Sequence, residues 1–239
     1  MSCDSTQLIT IKKAYKGGVQ STMNYNKKIS NAIISRLPKY YICLNELKEN
    51  GTVKTSSKEI SEKTNIPAGQ LRQDLNNFGG FRLQGYGYDV KFLHDKIKKI
   101  IGLNKTYNII VIGGGNIGQA LANYADFESY GIYIRAIFDI NPKLIGIEVR
   151  GIKIYDIDYL GEYIEKNSVD IAVLALPANK AKHIANRIIS YGVKGIWNFS
   201  HTDLTVPNNV VIENVNLTDG IMTLLYKINQ NYDVNNMYK

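Results

Sequence analysis

The sequence predicts an α/β protein in two parts, a basic helical part followed by a doubly wound parallel sheet. Three observations predict this fold class. A glycine-rich loop joins an apolar strand to a helix near residue 115, and apolar strands then alternate with helical segments. Residues 1–106 carry 18 Lys and Arg against 8 Asp and Glu, a net charge of +10, whereas residues 107–239 carry 11 against 13, a net charge of −2. The boundary therefore lies near residue 105.

The first segments of the chain predict an arm and then a helix. Residues 1–28 are polar and lack sustained periodicity, so we expect a flexible arm. Apolar residues then recur at helical spacing from residue 33 to residue 47, after Ser30-Asn31 as a cap and before Gly51 as a stop. This pattern predicts one amphipathic helix, which Pro38 is expected to bend.

Two shorter helices with a tight turn between them follow. Ser56-Ser57-Lys58-Glu59 has the form of a capping box, and residues 64–66 are expected to turn. Pro67 is typical of the first turn of a helix, which should run to about Phe78. Its inward-facing residues are predicted to be Leu71, Leu75 and Phe78, and its outward-facing residues Gln70, Arg72, Gln73, Asn76 and Asn77.

These helices are typical of a helix-turn-helix whose third helix presents amides and an arginine. Such side chains read base edges in the major groove of duplex DNA. The alternation of glycine and aromatic residues over 79–88 predicts a β-hairpin wing, from which Arg82 would reach phosphate or the minor groove. The positive charge favours a polyanionic partner, although a solvated polar face is the alternative for each residue alone. Residues 90–103 are predicted to be helical, and residues 102–106 link the two parts.

The second part opens with a dinucleotide-binding fingerprint. A strand over 109–112 is followed by Gly113-Gly114-Gly115-Asn116-Ile117-Gly118, a helix over 119–124, and a strand over 133–138 that ends on Asp139, 21 residues after Gly118. In this motif the first glycine permits a tight turn, the second admits a pyrophosphate and the third lets the helix lie close to the strand. The helix N-terminus attracts the phosphates. Asp139 would bind both ribose hydroxyls and repel a 2′-phosphate, which favours NADH and NAD as cofactors.

The remaining pattern completes the sheet. Strands are predicted over 152–155, 171–176, 195–199 and 210–213, with helices over 157–166 and 178–191. A ligand of such a sheet lies at the carboxyl ends of its strands. Those ends carry Gly113, Asp139, Pro177, Asn198 and Phe199. The apolar helix over 217–229 packs either on its own domain or on a partner chain, and the pattern leaves both open.

Cysteine usage and hydropathy bound the function classes further. Cys3 and Cys43 have no metal-ligand spacing and suit a reducing compartment. No apolar run reaches the roughly 18 residues of a membrane span, and the N-terminus lacks an apolar signal core. We therefore expect a cytoplasmic protein without a metal or a membrane partner.

Two other functions fit parts of the sequence. A small NAD-dependent oxidoreductase with a basic accessory domain needs a proton donor, for which the candidates are His201 and Tyr124, with mid-helix His183 less suited. No segment is large enough for a substrate domain, so we expect no catalytic residues. A domain for CoA or another adenine nucleotide is the third interpretation, and Asp139 argues instead for a dinucleotide with a free ribose diol.

Several motifs in combination resemble those of the Rex family of redox-sensing repressors. They are residues 36–41, 56–59, 72–81, 84–88, 138–142 and 193–199, and the resemblance runs in order from about residue 30 to about residue 228. It implies a homodimeric winged-helix repressor with a Rossmann domain that senses NADH against NAD. It also implies a C-terminal helix exchanged between subunits, inverted-repeat operators in double-stranded DNA, and release from DNA by NADH.

The motifs and the resemblance together give candidate domains and residues. We expect an arm over 1–28, a winged-helix domain over 29–104, a Rossmann domain over 105–215 and an exchanged helix with a tail over 216–239. The candidate DNA-binding residues are Lys58, Gln70, Arg72, Gln73, Asn76, Arg82 and Tyr86. The candidate cofactor-binding residues are Gly113, Gly114, Gly115, Asn116, Ile117, Gly118, Tyr124, Asp139, Ala175, Leu176, Pro177, Asn198 and Phe199.

The chain departs from the resembled family at four positions. Relatives usually carry Arg at the position of Ile42, and some carry Asp at the position of Asn216. In those relatives the Arg, the Asp and a tyrosine matching Tyr124 form a polar switch between DNA-binding and NADH-bound arrangements. Only Tyr124 remains in this chain. Relatives often have Thr at Ala175 and Pro at His201, near the expected nicotinamide pocket. Because both charged partners of the polar switch are absent, we expect NADH to weaken DNA binding through packing more than through an ion pair.

Overall fold

The computed structural model describes residues 29–79 and 87–237 of the chain. It divides into two compact units, residues 1–104 and residues 105–239. The predicted arm over 1–28 and most of the predicted wing, including Arg82 and Tyr86, lie outside the described residues.

The first unit consists of short helices and a small antiparallel sheet. Its elements are α1 (Asn31–Ile34), α2 (Leu37–Glu49), β1 (Lys54–Thr55), α3 (Ser57–Thr64), α4 (Ala68–Asn76), β2 (Tyr88–Asp89) and α5 (Val90–Ile100). Strand β2 ends the segment predicted as the wing and pairs antiparallel with β1, Thr55 opposite Tyr88. The core is apolar and contains Tyr40, Leu44, Leu47, Ile60, Leu71, Leu75, Leu93 and Ile97.

The prediction of one continuous helix from residue 31 to residue 49 is wrong. The chain breaks between α1 and α2, at Ser35 and Arg36. Pro38 explains the break, because its ring would clash with the carbonyl of Ile34 and it has no N–H to donate there. The proline is accommodated in the first turn of α2, where an N–H needs no partner.

The predicted cap of α3, the turn after it and the start of the next helix near Pro67 are confirmed, but the predicted end of that helix is not. Ser56 caps α3 by accepting a hydrogen bond from the backbone N–H of Glu59 at 3.1 Å. Asn65 ends α3 in the left-handed conformation, with φ of 55°, and Pro67 immediately precedes α4. Helix α4 ends at Asn76 and Phe78 is only half-buried, so the helix is shorter than predicted.

The second unit is a seven-stranded sheet in the order β5-β6-β4-β3-β7-β8-β9. Six strands are parallel, as predicted: β3 (Tyr107–Ile112), β4 (Ile132–Asp139), β6 (Ile152–Asp156), β7 (Ile171–Leu174), β8 (Gly195–Asn198) and β9 (Val211–Asn214). Strand β5 (Glu148–Val149) was not predicted and adds an antiparallel edge. Its turn to β6 is Arg150-Gly151, both with positive φ, 52° and 76°.

Helices cover both faces of this sheet. They are α6 (Asn116–Asn123), α7 (Leu160–Lys166) and α8 (Ala178–Ser190), with 3₁₀ segments over Ala125–Tyr130 and Ile157–Tyr159. Successive side chains of the central strand β3 pack on opposite faces of the sheet. Ile110 and Ile112 belong to one apolar cluster, and Ile109 and Val111 belong to the other. Burial on both faces is the pattern of a doubly wound sheet.

The last helix, α9 (Leu217–Met237), presents a large apolar surface to solvent. Seven of its side chains are each at least 38% exposed: Leu217, Ile221, Met222, Leu224, Leu225, Tyr226 and Ile228. Exposed apolar patches of this kind mark surfaces that bind a partner. None of the helices in the described parts of the chain is both long and apolar enough to cross a membrane.

Candidate functional site

The glycine loop after β3 has no room for a side chain at its first position. Gly113 has φ of 107°, and a Cβ there would collide with the carbonyl of Ala175 at the end of β7. The N–H of Gly113 donates to the carbonyl of Phe138 in β4 at 2.8 Å. The loop therefore leaves the sheet between the carboxyl ends of β4 and β7, where the order of strands reverses.

The third and sixth loop residues have opposite surroundings. A Cβ on Gly118 would collide with the carbonyl oxygen of Gly113, so this glycine lets α6 start directly on the loop. A Cβ on Gly115 would meet nothing within 4 Å, and the space in front of the α6 N-terminus is open. A helix N-terminus that is open in this way attracts an anion, since its first N–H groups and the positive end of the helix dipole face that space.

Gln119 is a residue of this loop that the motif did not single out. Its side-chain amide donates to the carbonyl of Gly114 at 2.6 Å, and its backbone N–H donates to the carbonyl of Gly115 at 2.9 Å. The amide closes the loop onto the first turn of α6. A glutamine at the fourth helical residue offered no recognisable signal in the sequence.

Asp139 lies at the carboxyl end of β4, beside the loop. One carboxylate oxygen accepts a hydrogen bond from the N–H of Gly114 at 2.5 Å, and the other accepts one from the N–H of Asn141 at 2.7 Å. Each carboxylate oxygen keeps a lone pair. The half-buried group is therefore held in place by the backbone and still able to accept from a vicinal diol.

The ends of β7 and β8 give the site an apolar wall. Ala175 and Leu176 are half-buried after β7, and Pro177 precedes α8. Phe199 is buried, and its N–H donates to the carbonyl of Leu174 at 2.9 Å. Ala175 lies directly against Gly113, and Phe199 is hydrogen-bonded to the end of β7, so this wall lies at the same sheet edge as the glycine loop.

The side chain of Asn198 does not point to a ligand. Its amide nitrogen donates to the carbonyl of Thr202 and to the side-chain oxygen of Asn214, both at 2.8 Å. Its oxygen accepts from the N–H and the hydroxyl of Ser200. An amide has two donors and two acceptor positions, so every one of them is used. We correct its predicted role: Asn198 shapes the turn after β8.

Tyr124 is not near the glycine loop of its own chain. It follows α6, at the end opposite Gly115, and eight helical residues at about 1.5 Å each separate the two. Its ring is half exposed and contacts Phe127 edge-on at 4.8 Å. The negative charge of Asp126 raises the pKa of Tyr124 above its ordinary value.

Helix α4 presents part of the predicted base-reading set to solvent. Arg72, Gln73 and Asn76 are exposed, and Arg72 donates to the hydroxyl of Ser57 at 3.0 Å. Lys58 is exposed on α3. The prediction that Gln70 points outward is wrong: it is half-buried and its amide donates to Asp74 at 2.7 Å. A buried carboxylate needs donors, and Gln70 is one turn away on the same face.

Asp74 is fully buried, and no motif in the sequence singled it out. Arg36 binds it with two parallel hydrogen bonds of 2.6 and 2.8 Å, and the hydroxyl of Tyr40 donates to it at 2.7 Å. Burial alone would raise the pKa of Asp74, but the hydrogen bonds from Arg36, Gln70 and Tyr40 together hold it below the ordinary value. The signal in the sequence was an acid three residues after Leu71, on the predicted apolar face.

The histidines considered as proton donors do not form a reactive set. His201 is exposed with φ of 53°, and His183 is exposed on α8. Across residues 29–79 and 87–237, no three His, Cys, Asp or Glu side chains form a group that would hold a metal ion.

Comparisons with known proteins match both units. Residues 28–76 match a family model described as "Putative DNA-binding protein N-terminus", and residues 104–202 match one described as "CoA binding domain". The chain is 53% identical over 208 residues to the redox-sensing transcriptional repressor Rex of Clostridium botulinum strain Hall, covering 87% of this chain and 99% of the relative. The chain belongs to the Rex family of redox-sensing transcriptional repressors.

Solved structures of a Rex-family repressor named RSP are similar along almost the whole chain. RSP in complex with β-NAD⁺ and operator DNA has a TM-score of 0.81 at 45% identity, covering 89% of this chain and 98% of RSP. RSP in complex with β-NADH has a TM-score of 0.80 at 44% identity, and the match covers 87% of this chain and 98% of RSP. Rex proteins are regulators and not enzymes, so the oxidoreductase interpretation is set aside.

Proposed function

We propose that this Rex protein is a homodimeric repressor that binds inverted-repeat operators and is released from them when NADH replaces NAD. The observation that carries the proposal is the placement of Asp139 on the N–H of Gly114, beside an open helix N-terminus. That arrangement accepts a dinucleotide with a free ribose diol. CoA carries a phosphate on its adenosine ribose, which this carboxylate would repel.

The proposed DNA-binding domain is residues 29–104, with Arg72, Gln73 and Asn76 reading bases and Lys58 contacting phosphate. These roles are supported by the exposure of the first three side chains on α4 and of Lys58 on α3. Arg82 and Tyr86 remain candidates from the sequence. RSP has been solved with operator DNA, which supports the same class of partner for this chain. Gln70 is removed from the base-reading set because its amide is bound to Asp74.

The proposed dinucleotide site, within residues 105–215, distinguishes the two redox states by charge and fit. The loop from Gly113 to Gly118 would hold the pyrophosphate, and Asp139 the ribose. The wall of Ala175, Leu176 and Pro177 lacks a carboxylate that would favour the cationic oxidised ring, so it suits the neutral reduced ring. NADH and NAD complexes of RSP support both as ligands of this fold.

The proposed dimer forms through residues 216–239, with α9 exchanged between subunits. Its support is the seven exposed apolar side chains of α9, since a helix of this composition is stable in water only when covered. Leu217 and Ile221 of the partner helix would close on the site and rotate one subunit against the other. A regulator of this kind works in the cytoplasm, where both its DNA and its dinucleotide are present.

The test is a titration of the purified full chain on DNA. An operator duplex is first selected from a random library by rounds of binding to the protein, and its affinity is then measured with NADH and with NAD at saturation. We expect weaker binding with NADH. A protein that selects no duplex, or one whose operator affinity is the same with both ligands, contradicts the proposed function.

A further inference from the structure

The recognition helix α4 carries a buried carboxylate between its exposed polar residues. The buried residues of α4 are Leu71, Asp74 and Leu75. Asp74 directly follows Gln73 and stands two residues before Asn76. Any rotation of Asp74 about the helix axis therefore moves both of those side chains by the same angle.

Four donors from three residues fix the carboxylate of Asp74. Arg36 donates to both oxygens, Tyr40 donates to one and Gln70 to the other. Arg36 lies at the break between α1 and α2, and Tyr40 lies on α2, so the contacts join α4 to a second helix. A two-pronged guanidinium–carboxylate contact holds only when both groups share a plane. Such a contact defines a rotation angle, which apolar packing by leucines does not.

Stability alone is a poor account of this cluster. A buried ion pair recovers little more than the cost of removing its charges from water, and apolar residues of similar volume often serve equally well. The side chain of Asp74 has no exposed area and that of Arg36 is only 23% exposed, so the desolvation cost applies in full to the acid. A directional contact that adds little net stability has its clearest use in geometry.

We propose that Asp74, held by Arg36 and Tyr40, is a positioning residue that sets the rotation of α4 and thereby which base edges Gln73 and Asn76 reach. The proposal rests on the proposed DNA-binding function. Asp74 itself touches no DNA, because it is buried. Gln70 donates the fourth hydrogen bond, but it lies on α4 itself, so it holds the carboxylate and does not tie α4 to another helix.

The experiment compares specific with non-specific binding in variants of the full chain. The double variant Arg36→Met with Asp74→Leu replaces the ion pair by apolar side chains of similar volume, and Tyr40→Phe removes one hydrogen bond only. The control is Glu162→Leu with Lys166→Met, which removes an exposed ion pair of α7. Affinities are measured for the duplex selected by the wild-type chain and for a random duplex, along with NADH affinity and melting temperature.

We expect the ratio of operator to random-duplex affinity to fall about tenfold in the double variant and about threefold in Tyr40→Phe, on the scale of a lost base contact. The NADH affinity of these variants should be unchanged. The control variant should keep the wild-type ratio of operator to random-duplex affinity. Selection from the random library with the double variant should yield an altered sequence preference.

A merely structural role predicts equal losses for both duplexes, because unfolding removes specific and non-specific binding together. An unchanged ratio in the folded variants therefore overturns the proposal, and Tyr40→Phe decides alone if the double variant does not fold. A wild-type chain that does not distinguish the two duplexes overturns the proposed function and this role with it.

Discussion

The carboxylate of Asp139 accepts a hydrogen bond from the backbone N–H of Gly114, so the acid that ends β4 is fixed to the middle of the glycine loop. The groups that we propose to bind the ribose and the pyrophosphate of a dinucleotide thus position each other.

Asp139→Ala should lower NADH affinity about tenfold or more and reduce the preference for NADH over NADPH, since charge-assisted hydrogen bonds contribute about 1.5–3 kcal/mol. Calorimetry with NADH and with NADPH measures both affinities. The matched control is Asp156→Ala, because Asp156 is paired with Asp139 across the neighbouring strand β6 and ends at the same sheet edge. Equal wild-type affinities for NADH and NADPH would sink the assignment of Asp139.

Gly118→Ala and Gly115→Ala should separate folding from binding. A Cβ at Gly118 meets the carbonyl of Gly113, so α6 must move, and we expect a loss of about 1–3 kcal/mol of stability along with NADH binding. A Cβ at Gly115 meets nothing, so stability should be kept while the pyrophosphate is excluded. Thermal unfolding and NADH titration of both variants check this. NADH binding to Gly115→Ala at wild-type affinity would contradict the proposed phosphate position.

Arg72→Ala should lose about 1–3 kcal/mol of operator affinity with little effect on random duplex, as expected of a base contact. Lys58→Ala, on exposed Lys58 of α3, should instead weaken both duplexes similarly and reduce the salt dependence of binding, as expected of a phosphate contact. Fluorescence anisotropy at several salt concentrations distinguishes the two. Unchanged operator affinity in Arg72→Ala removes it from the interface.

Ile221→Asp with Leu225→Asp should convert the proposed dimer to a monomer, since two charges would enter the apolar surface of α9, where each side chain is now about half exposed. Sedimentation equilibrium gives the mass of the assembly. Asn229→Asp, on an exposed residue of the same helix, is the control and should remain dimeric. A double variant that stays dimeric places the interface elsewhere.

Ile42→Arg with Asn216→Asp should enlarge the difference in operator affinity between NAD and NADH, because these changes restore the arginine that relatives usually carry and the acid that some of them carry. Without them we expect a coupling below the roughly 1–3 kcal/mol usual between linked sites. Asn216 donates to Asp219 at 2.7 Å and accepts from the N–H of Thr218, so an acid at 216 would face Asp219. Adding Asp219→Asn removes that repulsion, with Asp219→Asn alone as the control. No gain in the triple variant would mean that the polar switch is not what this chain lacks.

The sequence predicted the elements whose signals are local. Six parallel strands, the Ser56 cap, the turn at Asn65 and the glycine loop all follow from residues within a few positions of one another. The glycine at 118, whose Cβ would strike the nearby carbonyl of Gly113, and the Ser56 cap on the N–H of Glu59 are requirements of short-range sterics and hydrogen bonding. These local features can therefore be predicted from the sequence without knowledge of the fold.

Tertiary structure decided the roles of polar side chains. Gln70 and Asn198 looked available by helical period and by position at a strand end, yet both are used internally, by Asp74 and by Asn214 and Ser200. The partner of Asp74, Arg36, lies 38 residues away in sequence. Which donor reaches a buried acceptor depends on contacts between elements that the chain order does not specify. The sequence by itself thus determined most of the elements, the family resemblance and the glycine loop, whereas only the packed structure decided which polar groups are left to meet a ligand.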